Sequence, residues 1–174
     1  MVPGGPGDTA LFLSSRRPGY RNLRMSSFAA SMSGWAQFAD PTQGKDGDLQ
    51  WYRLMRGLTP QTGSPFVDLI TNQTTMFMLS GDPVRSSDGG AGWVDVTGGL
   101  VPGDRRMSMT AGPFTFADGD TQEVVVACVA SQGGDRLSSI TTLRADTRAV
   151  QRAFRNSMIN PRAPVVSCSV HRDS

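Results

Sequence analysis

The sequence has only one histidine, one glutamate and one lysine among its 174 residues: His171, Glu123 and Lys45. A Ser-His-Asp triad, an imidazole zinc site or a histidine general base would each depend on His171 alone. Glu123 begins an apolar run, and its simplest interpretation is a strand residue that faces solvent. The usual residues of acid–base and zinc chemistry are therefore almost missing, and we expect no enzyme activity.

Long apolar runs and clustered cysteines are also missing. No run approaches the ~18 apolar residues of a membrane-spanning helix, so we expect no membrane span. The two cysteines, Cys128 and Cys168, have no recognised spacing, and a disulfide between them stays open. The formal net charge is only +2. The one arginine-rich stretch, residues 136–172, lacks interleaved aromatic residues, so we expect no nucleic-acid partner.

Glycine and proline are abundant. The sequence has 20 glycines and 11 prolines. Together they make up about 18% of the 174 residues, well above the usual combined share of about 12%. Such a composition favours short strands joined by many turns.

Local patterns predict several elements. Apolar and aromatic residues over 23–38 indicate one or two strands, and residues 74–79 and 106–116 indicate further strands. Near-helical spacing over residues 49–58 predicts a short helix that ends near Gly57. The continuous apolar run over 121–130 predicts the strongest strand, buried on both faces.

The clearest helix is predicted at about residues 139–157. Its apolar positions step by three and four residues and form one stripe, while its arginines lie off that stripe and face solvent. The stripe consists of Ile140, Leu143, Thr147, Val150 and Phe154.

These elements predict a mainly β fold. We expect sandwich-like antiparallel strands with one C-terminal amphipathic helix packed on the sheet. Residues 1–18 are predicted to be a flexible segment and 19–160 a single β-rich domain. Residues 161–174 are predicted to be a linker and the start of a truncated following domain.

Candidate binding residues are few. Asp118 and Asp120 flank a glycine and are weak metal candidates, because alternate oxygen ligands of a turn can converge on a hard cation. A turn is the commoner role of such a triplet. No glycine-rich stretch has the frame of a phosphate loop, and we expect no cofactor.

Four aromatic side chains are candidates for stacking on a sugar ring. Core packing is the alternative role, and the commoner one in a domain with so few aromatic residues. The four candidates are Trp35, Trp51, Tyr52 and Trp93.

One segment resembles a known type of module. Residues 103–127 resemble an uncharacterised β-rich module of large secreted or cell-surface bacterial proteins. The resemblance rests on the sequence GPF at 112–114, the turn GDT at 119–121 and the valine run at 124–126. Further matching pieces extend the resemblance over residues 19–164. In those proteins the module often precedes fibronectin type III-like domains and a type IX-like sorting tail. The family has no established catalytic residues to transfer.

The resemblance implies an extracellular or cell-surface location and neighbouring domains of the same polypeptide as partners. The leading hypothesis is a non-catalytic structural or adhesive module of such a protein. One alternative is a carbohydrate-binding accessory module of a secreted hydrolase, with glycans as partners. A second alternative is a fragment of an enzyme whose active site lies in missing sequence.

Overall fold

The structure is a computed structural model that describes residues 1–32, 39–85, 92–95 and 103–156. These ranges contain eight strands and two helices. The strands are β1 (Val2–Pro3), β2 (Thr9–Phe12), β3 (Ser15–Pro18), β4 (Tyr20–Arg21), β5 (Met25–Met32), β6 (Phe66–Val67), β7 (Thr74–Thr75) and β8 (Arg105–Ala111). The helices are α1 (Lys45–Met55) and α2 (Arg136–Arg155).

The strands pair as four small antiparallel sheets: β1 with β4, β2 with β3, β5 with β8, and β6 with β7. The prediction of a strand-rich chain with a C-terminal helix is thus confirmed, and a second helix, α1, joins it. The expected short helix at 49–58 is present but begins at Lys45 and ends at Met55.

The β5–β8 pair is the longest sheet. Its register places Phe28 opposite Met109 and Ala30 opposite Met107. On the other side of β5, Phe28 exchanges backbone hydrogen bonds with the segment Met76–Met78: the Phe28 N–H donates to Met76 at 3.0 Å, and the Met78 N–H donates to Phe28 at 2.9 Å. Strand β5 is therefore flanked on both sides and lies at the centre of the packed region.

The main core surrounds β5. Trp93 and Phe66 are almost completely removed from solvent, and Met78 packs with them. The remaining members of this cluster are Ala29, Ala30, Met32 and Leu54. Leu54 is supplied by α1, so the helix is anchored to the sheet by an apolar contact.

Residues 1–18, predicted as a flexible segment, contain three strands in the structure. Ala10 and Leu11 of β2 are buried. The Asn22 side chain holds the hairpin, since its amide accepts from the Leu11 N–H and donates to the Leu11 carbonyl, both at 2.8 Å. The tight turn between β2 and β3 is formed by Leu13 and Ser14, both with positive φ (48° and 58°).

Helix α2 begins three residues before its predicted start because Asp135 caps it. The Asp135 carboxylate accepts from the N–H groups of Leu137 and Ser138, and the Ser138 hydroxyl reaches back to the Asp135 N–H. The five residues of the predicted stripe are half-buried, whereas most of their helical neighbours are exposed. The predicted phase of the helix is confirmed, although no α2 residue is fully buried.

The prediction of a doubly buried strand over 121–130 is wrong. No strand is present there, and Val124 is 86% exposed. A strand requires a backbone partner, and the described part of the chain offers none to this run. Side chains hold it instead: the Leu13 N–H donates to Glu123 at 2.9 Å, and the terminal amine donates to Gln122 at 2.8 Å.

Two other strand predictions are partly confirmed. In the range 74–79 only Thr74–Thr75 form a strand, and a bridge joins Phe77 to Phe28. In the range 106–116 the strand ends at Ala111. Met107 and Met109 of this strand are both largely exposed. Within the described ranges, neither helix is long and apolar enough to cross a membrane.

Candidate functional site

A groove with a volume of about 500 Å³ lies where the loop before α1 meets the first turns of that helix. It contains one aromatic side chain, several side-chain oxygens and one guanidinium. The lining residues are Asp40, Pro41, Thr42, Gln43, Gly44, Gly47, Asp48, Trp51 and Arg106. We call this the Trp51 groove.

The loop is fastened to the helix by two local features. The Thr42 N–H donates to the Gln50 side chain at 2.9 Å. Gly47 is buried directly against the Thr42 carbonyl oxygen, in a space that a Cβ atom would have to share. Gly44 has a φ of 84° and turns the chain into α1, a conformation that glycine adopts without steric cost. Gly44 and Gly47 therefore form one wall of the groove.

Trp51 supplies the apolar surface of the groove. Its side chain lies on α1 and the residue is 48% exposed. A half-exposed indole offers apolar ring surface on which a ligand can stack.

Arg106 supplies the hydrogen-bond donors. Its guanidinium forms ion pairs with Asp40 and, at 3.0 Å, with Asp104. The two carboxylates compensate the guanidinium charge and restrict its orientation. Together with Asp48 and Gln43, the groove offers donors and acceptors of the kind that bind hydroxyl groups.

The structure separates the four aromatic candidates. Tyr52 follows Trp51 on α1, but successive helical residues point about 100° apart, and Tyr52 does not line the groove. The Arg56 guanidinium lies 5.9 Å from the centre of the Tyr52 ring and donates to its hydroxyl at 3.2 Å. Trp35 lies outside the described residues.

Trp93 belongs to the core and not to a surface site. It has no exposed area and packs with Phe66 and Met78. Its carbonyl oxygen accepts a hydrogen bond from the Gly81 N–H at 2.8 Å. A residue in this position supports the fold and cannot stack on an external ligand.

The metal candidates lie in a turn. The Asp120 carboxylate accepts from the Ala117 N–H at 2.9 Å, and the Asp120 N–H donates to the Ala117 carbonyl at 3.0 Å. Asp118 lies exposed at the tip of this turn. Within the described ranges, no three histidine, cysteine, aspartate or glutamate side chains are grouped so that they could hold a metal ion.

Sequence reasoning missed Asp40 and Arg106. Asp40 lies between the predicted elements at 23–38 and 49–58, and Arg106 begins the strand predicted at 106–116. The two residues are 66 positions apart, and only the pairing of β5 with β8 brings Arg106 to the loop. No local pattern carries this signal.

A second, apolar groove of about 400 Å³ lies between the valine run and α2. Val125, Val126 and Ala127 line one side, and Val150 and Phe154 of α2 line the other. We call this the valine groove. Its walls are more strongly apolar than those of the Trp51 groove, which also presents carboxylates and a guanidinium.

Comparison with known proteins gives no relative for this chain: no family model matches it, and neither a curated protein nor a solved structure does.

Proposed function

We propose that this chain is a non-catalytic structural or adhesive module of a secreted or cell-surface bacterial multidomain protein. Its partners in this proposal are neighbouring domains of the same polypeptide. The observation that carries the proposal is the exposure of the valine run, in which Val124, Val125 and Val126 all lie open to solvent.

Three consecutive exposed valines are unusual for a free surface. Contiguous apolar surface on soluble proteins commonly marks a contact with another protein surface. The valine groove continues this surface towards α2 through Val150 and Phe154. A neighbouring domain that covers the run would bury its side chains at about 25 cal/mol per Å² of apolar area. The resemblance of residues 103–127 to secreted bacterial modules supports the same arrangement.

The sandwich-like architecture predicted from the sequence is part of this proposal. Its support is the set of small antiparallel sheets, with β5–β8 at the centre. Each of these sheets has only two strands, and sheets of that size need further packing for independent stability.

The test compares this chain with a longer protein that includes the flanking coding sequence. In the chain alone, Val126→Asp leaves the melting temperature nearly unchanged, because Val126 is exposed. In the longer protein the same substitution lowers the melting temperature of this module, since it places a charge in the covered surface. Arg148→Asp, an exposed change on α2, is the control and has little effect in both.

Hydrogen exchange gives a second measurement. The amides of residues 124–127 exchange more slowly in the longer protein than in the chain alone. Equal exchange and equal tolerance of Val126→Asp in the two proteins would contradict packing against a neighbour. So would a coding sequence that contains no further domain.

We also propose a second function, carbohydrate binding in the Trp51 groove, as in an accessory module of a secreted hydrolase. The observation that favours it is the half-exposed indole of Trp51 beside Arg106 and two carboxylates. The indole would stack on the apolar face of a sugar ring, and the polar side chains would bind its hydroxyl groups.

Affinity electrophoresis in gels that contain neutral polysaccharides tests this function, together with a glycan array. Retention of the wild-type chain and its loss in Trp51→Ala would support binding in the groove. Tyr52→Ala is the matched control, because Tyr52 is an equally exposed aromatic residue on α1 that lies outside the groove. Equal loss in both variants, or no retention of the wild type, would contradict it.

A further inference from the structure

Strand β8 forms one edge of its sheet. It pairs with β5 on one side, and no described strand pairs with its other side. Phe28 directs its N–H and carbonyl away from β8, towards Met76 and Met78. Since pairs alternate along an antiparallel ladder, Phe28 and Met109 form a pair without mutual hydrogen bonds.

The same alternation assigns the backbone groups of the other β8 residues. The groups of Arg106, Ser108 and Thr110 face β5. Those of Met107 and Met109 face outward, and no hydrogen bond to them occurs in the described part of the chain. The two side chains are also open, at 76% and 70% exposure. Exposed edge strands of this kind are templates for pairing with another strand, and proteins usually protect them with charges, proline or bulges.

The protective charges of β8 are confined to its first two residues. Arg105 pairs with Asp95 at 3.2 Å, and Arg106 pairs with Asp40 and Asp104. Both guanidinium charges are therefore compensated within the chain. The following five residues, Met107–Ala111, contain neither charge nor proline.

We propose that the outer edge of β8 is a homodimer interface, in which the β8 strands of two copies pair antiparallel about a twofold axis at Ser108. This arrangement joins the two β5–β8 pairs into one continuous sheet. It is an isologous contact, in which the same surface of each copy meets itself and the assembly closes at two chains.

The pattern of β8 is complementary to itself in this register. Met107 lies opposite Met109 of the second copy, as a hydrogen-bonded pair that uses the outward backbone groups. Arg105 lies opposite Ala111 and Arg106 opposite Thr110, so no two like charges face each other. Every other register shortens the overlap of the seven-residue strands. In the dimer the side chains of the two methionine pairs cover one another. This contact explains why Met107 and Met109 are exposed in the single chain.

Cysteine crosslinking tests the register. In a background with Cys128→Ser and Cys168→Ser, Ser108→Cys places two thiols at a pair without hydrogen bonds, where Cα atoms are about 4.5 Å apart. That distance lies within the range of about 4.4–6.8 Å that a disulfide spans. Mild oxidation is expected to give a disulfide-linked dimer on a non-reducing gel.

Thr110→Cys in the same background is the matched control. Thr110 lies on the same face of β8, but its two copies would be four residues out of register, or about 13 Å apart along the strand. It is expected to give much less crosslinked product. Equal crosslinking of the two variants, or none of either, would overturn the proposal.

Analytical ultracentrifugation of the wild-type chain supplies an independent measurement. The expected mass is twice that of one chain. The double variant Met107→Lys, Met109→Lys places lysines opposite each other across the interface, and it is expected to sediment as a monomer with an unchanged circular dichroism spectrum.

The double variant Leu49→Lys, Met55→Lys adds the same charge at exposed positions of α1 and is expected to remain a dimer. A wild-type chain that is monomeric at high concentration would overturn the proposal. So would a dimer that survives the lysines in β8, because its interface would then lie elsewhere.

Discussion

Arg144 on α2 binds Asp82 through two parallel hydrogen bonds, with Nη2 donating to Oδ1 at 2.8 Å and Nη1 donating to Oδ2 at 3.2 Å. The residues are 62 positions apart. Gly81, next to Asp82, donates its N–H to the Trp93 carbonyl at 2.8 Å. The pair therefore connects α2 with the main core, which is notable because α2 has no fully buried residue of its own.

Removing the arginine is expected to lower stability. Arg144→Ala deletes a bidentate contact and should reduce the melting temperature, whereas Arg148→Ala, an exposed neighbour on the same helix, should not. Thermal unfolding followed by circular dichroism measures both. Equal melting temperatures would show that α2 is held by its apolar stripe alone.

The same pair predicts a pH dependence. Hydrogen bonds from Arg144, and then from the N–H groups of Val84 and Arg85, lower the pKa of Asp82 from its ordinary 3.8 to about 2. Because the folded pKa lies below the unfolded one, the contribution is complete above pH ~4 and is lost as the pH falls towards 2. The difference in unfolding free energy between wild type and Asp82→Asn should shrink over this window. A difference that stays constant would contradict the assignment.

The sequence predicts those parts of the fold that depend on neighbouring residues better than those that depend on contacts between distant segments. Helix α2 was predicted in the correct phase because its stripe is a local pattern, and β5 lies within the strand region predicted at 23–38. The prediction of a buried strand at 121–130 is wrong because continuous apolar residues are buried only if other residues cover them. Periodicity cannot show whether that cover is part of the chain.

The candidate site follows the same rule. Trp51 was proposed from residue type alone, and the structure places it in a groove. Trp93 was proposed on the same ground and is buried, because pairing and packing between distant segments decide which indole reaches solvent. The contact of Asp40 with Arg106 also depends on the β5–β8 register, which no motif encodes.

Asp68 is expected to be important for stability. It is buried, and its carboxylate accepts from the Ile70 and Thr71 N–H groups at 2.9 and 3.0 Å and from the Ser80 hydroxyl at 3.1 Å. Burial raises the pKa of Asp68, but these hydrogen bonds outweigh it and lower the pKa overall. Asp68→Ala leaves several donors without an acceptor and should cost about 1–3 kcal/mol.

Urea denaturation measures this cost against a control. Asp118→Ala removes an exposed carboxylate from a turn tip and should change the free energy of unfolding by less than about 0.5 kcal/mol. If the two variants were equally stable, the Asp68 hydrogen bonds would contribute nothing net.

Gly47 gives a test of the Trp51 groove itself. In most helices Gly→Ala stabilises by about 0.8–1 kcal/mol, because alanine has the higher helix propensity. At Gly47 the new Cβ would meet the Thr42 carbonyl oxygen, a backbone atom that cannot move aside cheaply. Gly47→Ala should therefore destabilise the chain, with a sign opposite to the propensity. Gly7→Ala, whose Cβ would meet nothing within 4 Å, should be neutral or slightly stabilising.

Trp93 and Trp51 should respond in opposite ways to truncation. Trp93→Ala leaves a cavity between Phe66 and Met78 and should cost about 3–5 kcal/mol, a large share of the ~5–15 kcal/mol that stabilises a typical domain. Trp51→Ala removes an indole that is already half in solvent, so its effect on unfolding should be small. Chemical denaturation of both variants decides the matter: if Trp51→Ala unfolded as readily as Trp93→Ala, the indole of Trp51 would be part of the core and unable to stack on a sugar.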